Sequence, residues 1–252
     1  MALITMSRIA LFMSLLLILQ FAYADSSKDL RVAASPWSPY VSAELPDNGF
    51  AVNLVMTTLK RAGYTPSLKL TDWPDDLEGT QQGRYDVIAS IWITRERKDD
   101  LVFSKPIIEN NVKFMVRTDS NIQIPDPDKL KGYRIGVVED YAYTQGAYTD
   151  LPVEFVKMES VEENLQKLLA GKIDIAVADE RVAVYVLNNQ FPGGIKQIRF
   201  VEQNVSTRGL RIAVSRKRAD AEKIVADFEA EFQRMKDDGT YLDILHQYRV
   251  SR

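Results

Sequence analysis

The apolar positions of this chain switch repeatedly between runs of strand type and spacings of helix type. Leu30 to Ser35 is a short apolar run. Phe50, Leu54, Val55 and Leu59 then recur at helical spacing, with Asp47 and Asn48 placed to cap that helix and Gly63 to stop it. Ser67 to Thr71 alternates as a strand, and a short helical stretch follows through Leu77. Tyr85 to Ile93 is a continuous apolar run, the pattern of a parallel strand buried on both faces. A second series begins downstream, with strands predicted over Arg134 to Val138, Val153 to Met158 and Ile173 to Ala178, separated by Tyr141 to Tyr148 and by a helix over Ser160 to Ala170. In that helix Ser160 and Glu163 form a capping box, Val161, Leu165, Leu168 and Leu169 make the apolar stripe, and Gly171 ends it. A last helix over Asp220 to Lys236 carries Ile224, Val225, Phe228, Phe232 and Met235 on one face, with Gly239 after it.

The two series are built alike. Gly83-Arg84-Tyr85-Asp86 and Gly171-Lys172-Ile173-Asp174 each place a helix-ending Gly, a basic residue, an apolar residue and an Asp before an apolar strand. This predicts an α/β protein of two lobes, each a mixed, mostly parallel sheet flanked by helices. In open α/β sheets the ligand lies off the carboxyl ends of the strands, so Ser90 to Arg97 and Asp179 should border a shared cleft. Val112 to Val116, leading into the linker Asp119 to Asp128, and Gly209 to Ser215 read as the two crossings between lobes. The expected division is therefore a signal over 1–24, a discontinuous first lobe over 25–117 with 209–252, and a second lobe over 118–208, joined by a two-stranded hinge.

Composition narrows the chemistry. The 252 residues include no Cys and a single His, His246, which removes thiol nucleophiles, disulfides and zinc-finger-type sites. The formal charge is −3 with no Lys/Arg-rich block, so no nucleic-acid footprint is present. Arg8, the apolar run Ile9 to Leu19 and Ala22-Tyr23-Ala24 have the order of a secretory signal cleaved after Ala24. The run is too short to span a bilayer. An exported, disulfide-free protein is expected, most simply in a bacterial periplasm.

Several motifs then recur in a specific order: Trp37-Ser38-Pro39-Tyr40; Gly49-Phe50; Gly83 to Ser90; Ile93-Thr94-Arg95-Glu96-Arg97 followed by Phe103-Ser104-Lys105-Pro106; Leu130-Lys131-Gly132; and Asp238-Gly239-Thr240-Tyr241. In these the chain resembles the periplasmic solute-binding proteins of the amino-acid-binding type that serve ABC transporters. The resemblance implies a monomer that captures a small polar solute between its lobes and docks on a membrane permease or a membrane sensor, with no cofactor and no metal. It implies that Arg97 clamps a ligand carboxylate, a task suited to the planar N–H fork of a guanidinium. It implies that Asp179 receives an α-ammonium, although Asp179 is equally placed to cap the helix after it. Trp37 would lie over the ligand as a π face, and Ser90 and Thr94 would contact the carboxylate.

Three departures bear on the ligand. Trp92 stands where many members have Ser, Asp140-Tyr141-Ala142 replaces Gly-Thr-Thr, and Ala34 stands where binders of basic amino acids carry an acid. Trp37, Trp92 and Tyr141 together point to an aromatic or flat ligand, and the carboxylate-plus-ammonium pattern is weakened. Two other functions share this fold: a sensing partner of a signalling receptor, and an enzyme resembling the cyclohexadienyl dehydratases, for which Glu180 is the nearest acid.

Overall fold

The computed structural model describes residues 28–123, 130–139, 141–142, 153 and 155–248. The signal segment 1–24, Asp140 and most of Tyr141 to Tyr148 lie outside these residues, as does the end of the expected linker.

The described elements are, in chain order, β1 (Asp29–Ala34), α1 (Phe50–Arg61), β2 (Thr65–Leu70), α2 (Trp73–Gln81), β3 (Val87–Trp92), β4 (Leu101–Phe103), β5 (Ile108–Arg117), β6 (Ile135–Val138), β7 (Phe155–Met158), α3 (Val161–Leu169), β8 (Ile175–Asp179), α4 (Glu180–Gln190), β9 (Ile198–Ser215), α5 (Ala221–Asp237) and α6 (Thr240–Gln247). The strands lie in the order β2-β1-β3-β9-β5-β8-β6-β7, with β4 paired to β9. Two parallel triplets, β2-β1-β3 and β7-β6-β8, are thus joined through the antiparallel pair β5 and β9. β3, read as a run buried on both faces, is buried at every position, and so is β8, because helices cover both faces of a parallel sheet.

The likeness of the two halves has a physical core that the Gly and Asp positions show only in part. Arg31 donates its backbone N–H and its Nε to Asp86 Oδ2 at 2.8 and 2.9 Å, its Nη2 to Oδ1 at 2.9 Å, and Nη2 again to the Gly83 carbonyl at 2.8 Å. Arg134 repeats every one of these bonds on Asp174 and the Gly171 carbonyl, at 2.8 to 3.0 Å. Each is a bidentate guanidinium–carboxylate fork that ties the first strand of a triplet to the turn entering its third.

Local chemistry moves several boundaries. Asp47 and Asn48 do not cap α1: both adopt positive φ in a tight 3₁₀ turn, and Gly49, at φ 96°, takes the cap position. A Cβ on Gly49 would come within 2.6 Å of the Tyr40 carbonyl, so this glycine is what lets α1 press against the Trp37–Tyr40 turn. The α3 box is shifted: Ser160 Oγ accepts from the Glu163 N–H at 3.1 Å, but the Glu163 carboxylate accepts from Glu159, one residue earlier than in a standard box. Gly209 is not a strand start, because β9 begins at Ile198 and pairs with β5 from there to Leu210 before pairing with β3 and β4. The last long helix, α5, packs on α1, where Arg61 Nε meets the buried Glu231 at 2.6 Å and Thr58 Oγ1 meets Met235 Sδ at 3.2 Å.

Candidate ligand-binding site

The carboxyl ends of β1 and β3, the start of α2 and the residues after β6 surround one cavity of about 270 Å³. Its walls include Ser35, Trp37, Asp72, Trp73, Ser90, Trp92, Arg97 and Tyr141. All three tryptophans of the chain are among them. That volume lies just under the range typical of drug-sized ligand sites, which suits a small metabolite.

The aromatic walls hold each other in place. Trp37 stacks on Tyr40 with ring centroids 4.4 Å apart and meets Trp92 and Tyr141 edge-on at 5.4 and 6.1 Å. The Trp37 turn is closed by main-chain bonds from Tyr40 and Val41 back to the Trp37 carbonyl, and Ala51 at the head of α1 donates to the Tyr40 carbonyl. Trp73 is fixed differently: Asp72 caps α2 by accepting the Asp75 N–H at 2.9 Å, which sets Trp73 in the first turn.

Arg97 lies over the Trp73 ring, its Cζ 4.9 Å from the centroid, and donates Nη1 to the Trp92 carbonyl at 2.8 Å. It forms no ion pair among the described residues. Burial pulls its pKa down, and the charge of Arg208 adds to the effect. Arg208 stands on β9 directly opposite Asn110 of β5. Its Cζ is 5.8 Å from the Trp92 ring centroid and its Nη2 donates to the Ala142 carbonyl. Burial depresses Arg208 as well, its Nε is buried with no partner among the described residues, and it too forms no ion pair among them. Trp37 Nε1 is a further buried donor with no partner among the described residues.

Of the residues expected from the sequence, Trp37, Ser90, Trp92, Arg97 and Tyr141 line this cavity, and Thr94 and Asp179 do not. Thr94 is buried, and its Oγ1 accepts the Arg97 N–H at 3.4 Å, so it acts on the turn that carries Arg97. Asp179 is 1% exposed. Its Oδ1 accepts from the Val182 N–H and the Tyr40 hydroxyl, both at 3.0 Å, and its Oδ2 accepts from the Asn110 amide at 2.9 Å. Burial pushes this carboxyl up, against the pull of these donors. Asn110 in turn accepts the Trp92 Nε1–H at 2.8 Å, which links a cavity wall to Asp179 through β5.

Sequence reading missed Trp73, Asp72, Ser35, Asn110 and Arg208. For two of them a signal exists: the alternation of β5 puts Asn110 on the buried register of Ile108 and Val112, and that of β9 puts Arg208 on the face of Leu210, Ile212 and Val214. A polar or charged side chain at an inward position needs a partner.

Comparison with known proteins agrees with this architecture. Residues 30–125 match the family model of bacterial extracellular solute-binding proteins, family 3. The L-cystine-binding protein TcyJ of Escherichia coli (strain K12) is 26% identical over 196 residues, which are 76% of this chain and 70% of that protein. An ancestral arginine-binding protein solved with arginine superposes with a TM-score of 0.72 at 26% identity, covering 88% of this chain and 98% of its own. An ancestral amino acid-binding protein that is a precursor of cyclohexadienyl dehydratase shares the fold, with a TM-score of 0.69 at 23% identity over 87% of this chain and 94% of its own. With two parallel triplets bridged by two long strands and a cavity at the carboxyl ends of the first triplet, the chain has the fold of amino-acid-binding solute-binding proteins, and its residues 30–125 are similar to the bacterial extracellular solute-binding proteins, family 3.

Proposed function

We propose that this protein captures a small carboxylate solute of the amino-acid class or a close relative in the cavity beside Arg97, for delivery to an ABC-transporter permease. One observation carries the reading: a partly buried guanidinium lines the cavity and has no carboxylate partner among the described residues. Isolated buried charge is unfavourable unless compensated, and a ligand carboxylate supplies the compensation. Relatives that bind cystine and arginine support the amino-acid class. In this reading the protein is exported, its signal removed after Ala24, and acts as a monomer. The lobes, 25–117 with 209–252 and 118–208, close on the solute about β5 and β9, and the closed form docks on the permease. Glu180, the acid that an enzyme on this fold would use, opens α4 and is not among the cavity residues, which favours binding over turnover.

The test is a thermal-shift screen of amino acids, keto acids and aromatic acids against protein freed of bound solute. At a concentration about 100 times Kd, linkage adds about 2.7 kcal/mol, and a protein of this size gains about 2–4 °C per kcal/mol. Arg97→Ala should abolish the shift given by the best ligand. An undiminished shift in that variant would remove the clamp and the reading with it.

A further inference from the structure

Resting on the proposed capture of a carboxylate, we infer that the preferred solute is a planar or aromatic carboxylate that carries no α-ammonium group. Charged and polar donors outnumber carboxylate acceptors around the cavity. Among the described residues, Arg97 lies at the cavity without an ion-pair partner, Arg208 stands against its Trp92 and Ala142 walls in the same condition, and Trp37 Nε1 and Arg208 Nε are buried donors with no acceptor. Each buried donor left unmade costs free energy, so the site calls for an acceptor-rich partner. Acceptors are scarce by comparison. Among the lining residues Asp72 is the one carboxylate, and its Oδ1 is engaged in capping α2.

The carboxylate that could receive an ammonium is already occupied. Asp179 takes three donors, and two of them are side chains, the Tyr40 hydroxyl on Oδ1 and the Asn110 amide on Oδ2, so both carboxylate oxygens are engaged. Those two are tied to each other at 2.5 Å and onward to Trp92, so freeing Asp179 for an ammonium would break a buried network of four side chains. The chain supplies from its own side chains the hydrogen bonds that an ammonium would otherwise make. What remains for the solute is a pair of guanidinium groups and walls of Trp37, Trp73, Trp92 and Tyr141, which fit a flat apolar body bearing a carboxylate or a 2-keto carboxylate.

Matched pairs that differ at the α-carbon test this. Isothermal titration of the solute-free protein compares phenylpyruvate and 3-phenylpropionate with phenylalanine, and indole-3-propionate with tryptophan. The expected result is that a des-amino member binds at least tenfold tighter than its amino acid, and that Arg208→Gln weakens it at least tenfold. Asn110→Ala and, separately, Tyr40→Phe should narrow the gap by freeing Asp179 for the ammonium. The wild-type comparison stands even if either variant fails to fold. Equal or tighter binding of the amino acids, abolished by Arg97→Ala, overturns this inference and leaves the proposed function intact. Absence of binding by every carboxylate in the screen overturns both.

Discussion

Asp76 shows how a single residue beneath the cavity shapes the stability of the protein. It sits on α2, is 1% exposed, and accepts the Ser35 hydroxyl on Oδ2 at 3.1 Å, while its Oδ1 has no partner among the described residues. Burial raises its pKa to about 7; the Ser35 bond opposes the rise and the charge of Asp75 adds to it. The folded protein therefore holds a proton that the unfolded chain releases near its ordinary value of 3.8. The stability this group contributes is fully present below about pH 4 and is lost as pH rises through about 7. Asp76→Asn, which keeps the shape without the ionisation, should gain on wild type by a few kcal/mol between pH 5 and pH 8, read as the difference in urea midpoints. A difference that stays constant with pH would contradict the assignment. At this scale the sequence was legible wherever a residue type sits in a recognisable motif, as with Trp37, Trp92 and Arg97. It was silent on Asp76, because nothing in Trp73-Pro74-Asp75-Asp76 says which acid of the turn faces inward.

At the scale of elements, the two Arg–Asp staples are the same device in different surroundings. Asp86 is 4% exposed and accepts from Arg218 at 3.2 Å in addition to Arg31, whereas Asp174 is 24% exposed and, among the described residues, pairs with Arg134 alone. For Asp86, burial raises the pKa and the bonds from Arg31 and Arg218 more than offset it, leaving it low; for Asp174 the Arg134 bond leads and also holds it low. Stability from both is present above the ordinary carboxylate range and is lost as pH falls through their depressed values. Removing a partner from a buried pair costs about 3 kcal/mol, while an exposed pair is worth about 1 kcal/mol or less. Asp86→Ala should therefore lower the urea stability by about 2 kcal/mol more than Asp174→Ala does. Equal losses would show that the two staples do not differ in burial as described. The Gly-x-x-Asp repeat was readable because it is local. Its Arg partners were not, since Arg31 lies 55 residues from Asp86 and meets it only through strand register. Helix ends were misplaced for a related reason: the cap of α1 depends on φ values at Asp47 and Asn48 that composition does not encode.

For the whole molecule, the alternation of strand and helix runs was enough to anticipate two similar halves and a cleft at strand ends. What it could not show was that the two crossings pair with each other, and in which register. Val112 to Val116 and Gly209 to Ser215 read as two crossings between lobes; in the structure β5 and β9 pair with each other over 108–117 and place Asn110 opposite Arg208. That register joins the Asp179 network to the cavity, and it explains why the donor-rich character of the site is invisible in any single motif. Three tryptophans in one cavity also provide the means to test the account. The most direct measurement is a titration of intrinsic tryptophan fluorescence with the best carboxylate from the screen, in wild type and in Arg97→Ala. The account predicts a saturable change in wild type and its loss, or a weakening of at least tenfold, in the variant. The same saturable change with unaltered affinity in Arg97→Ala would contradict it.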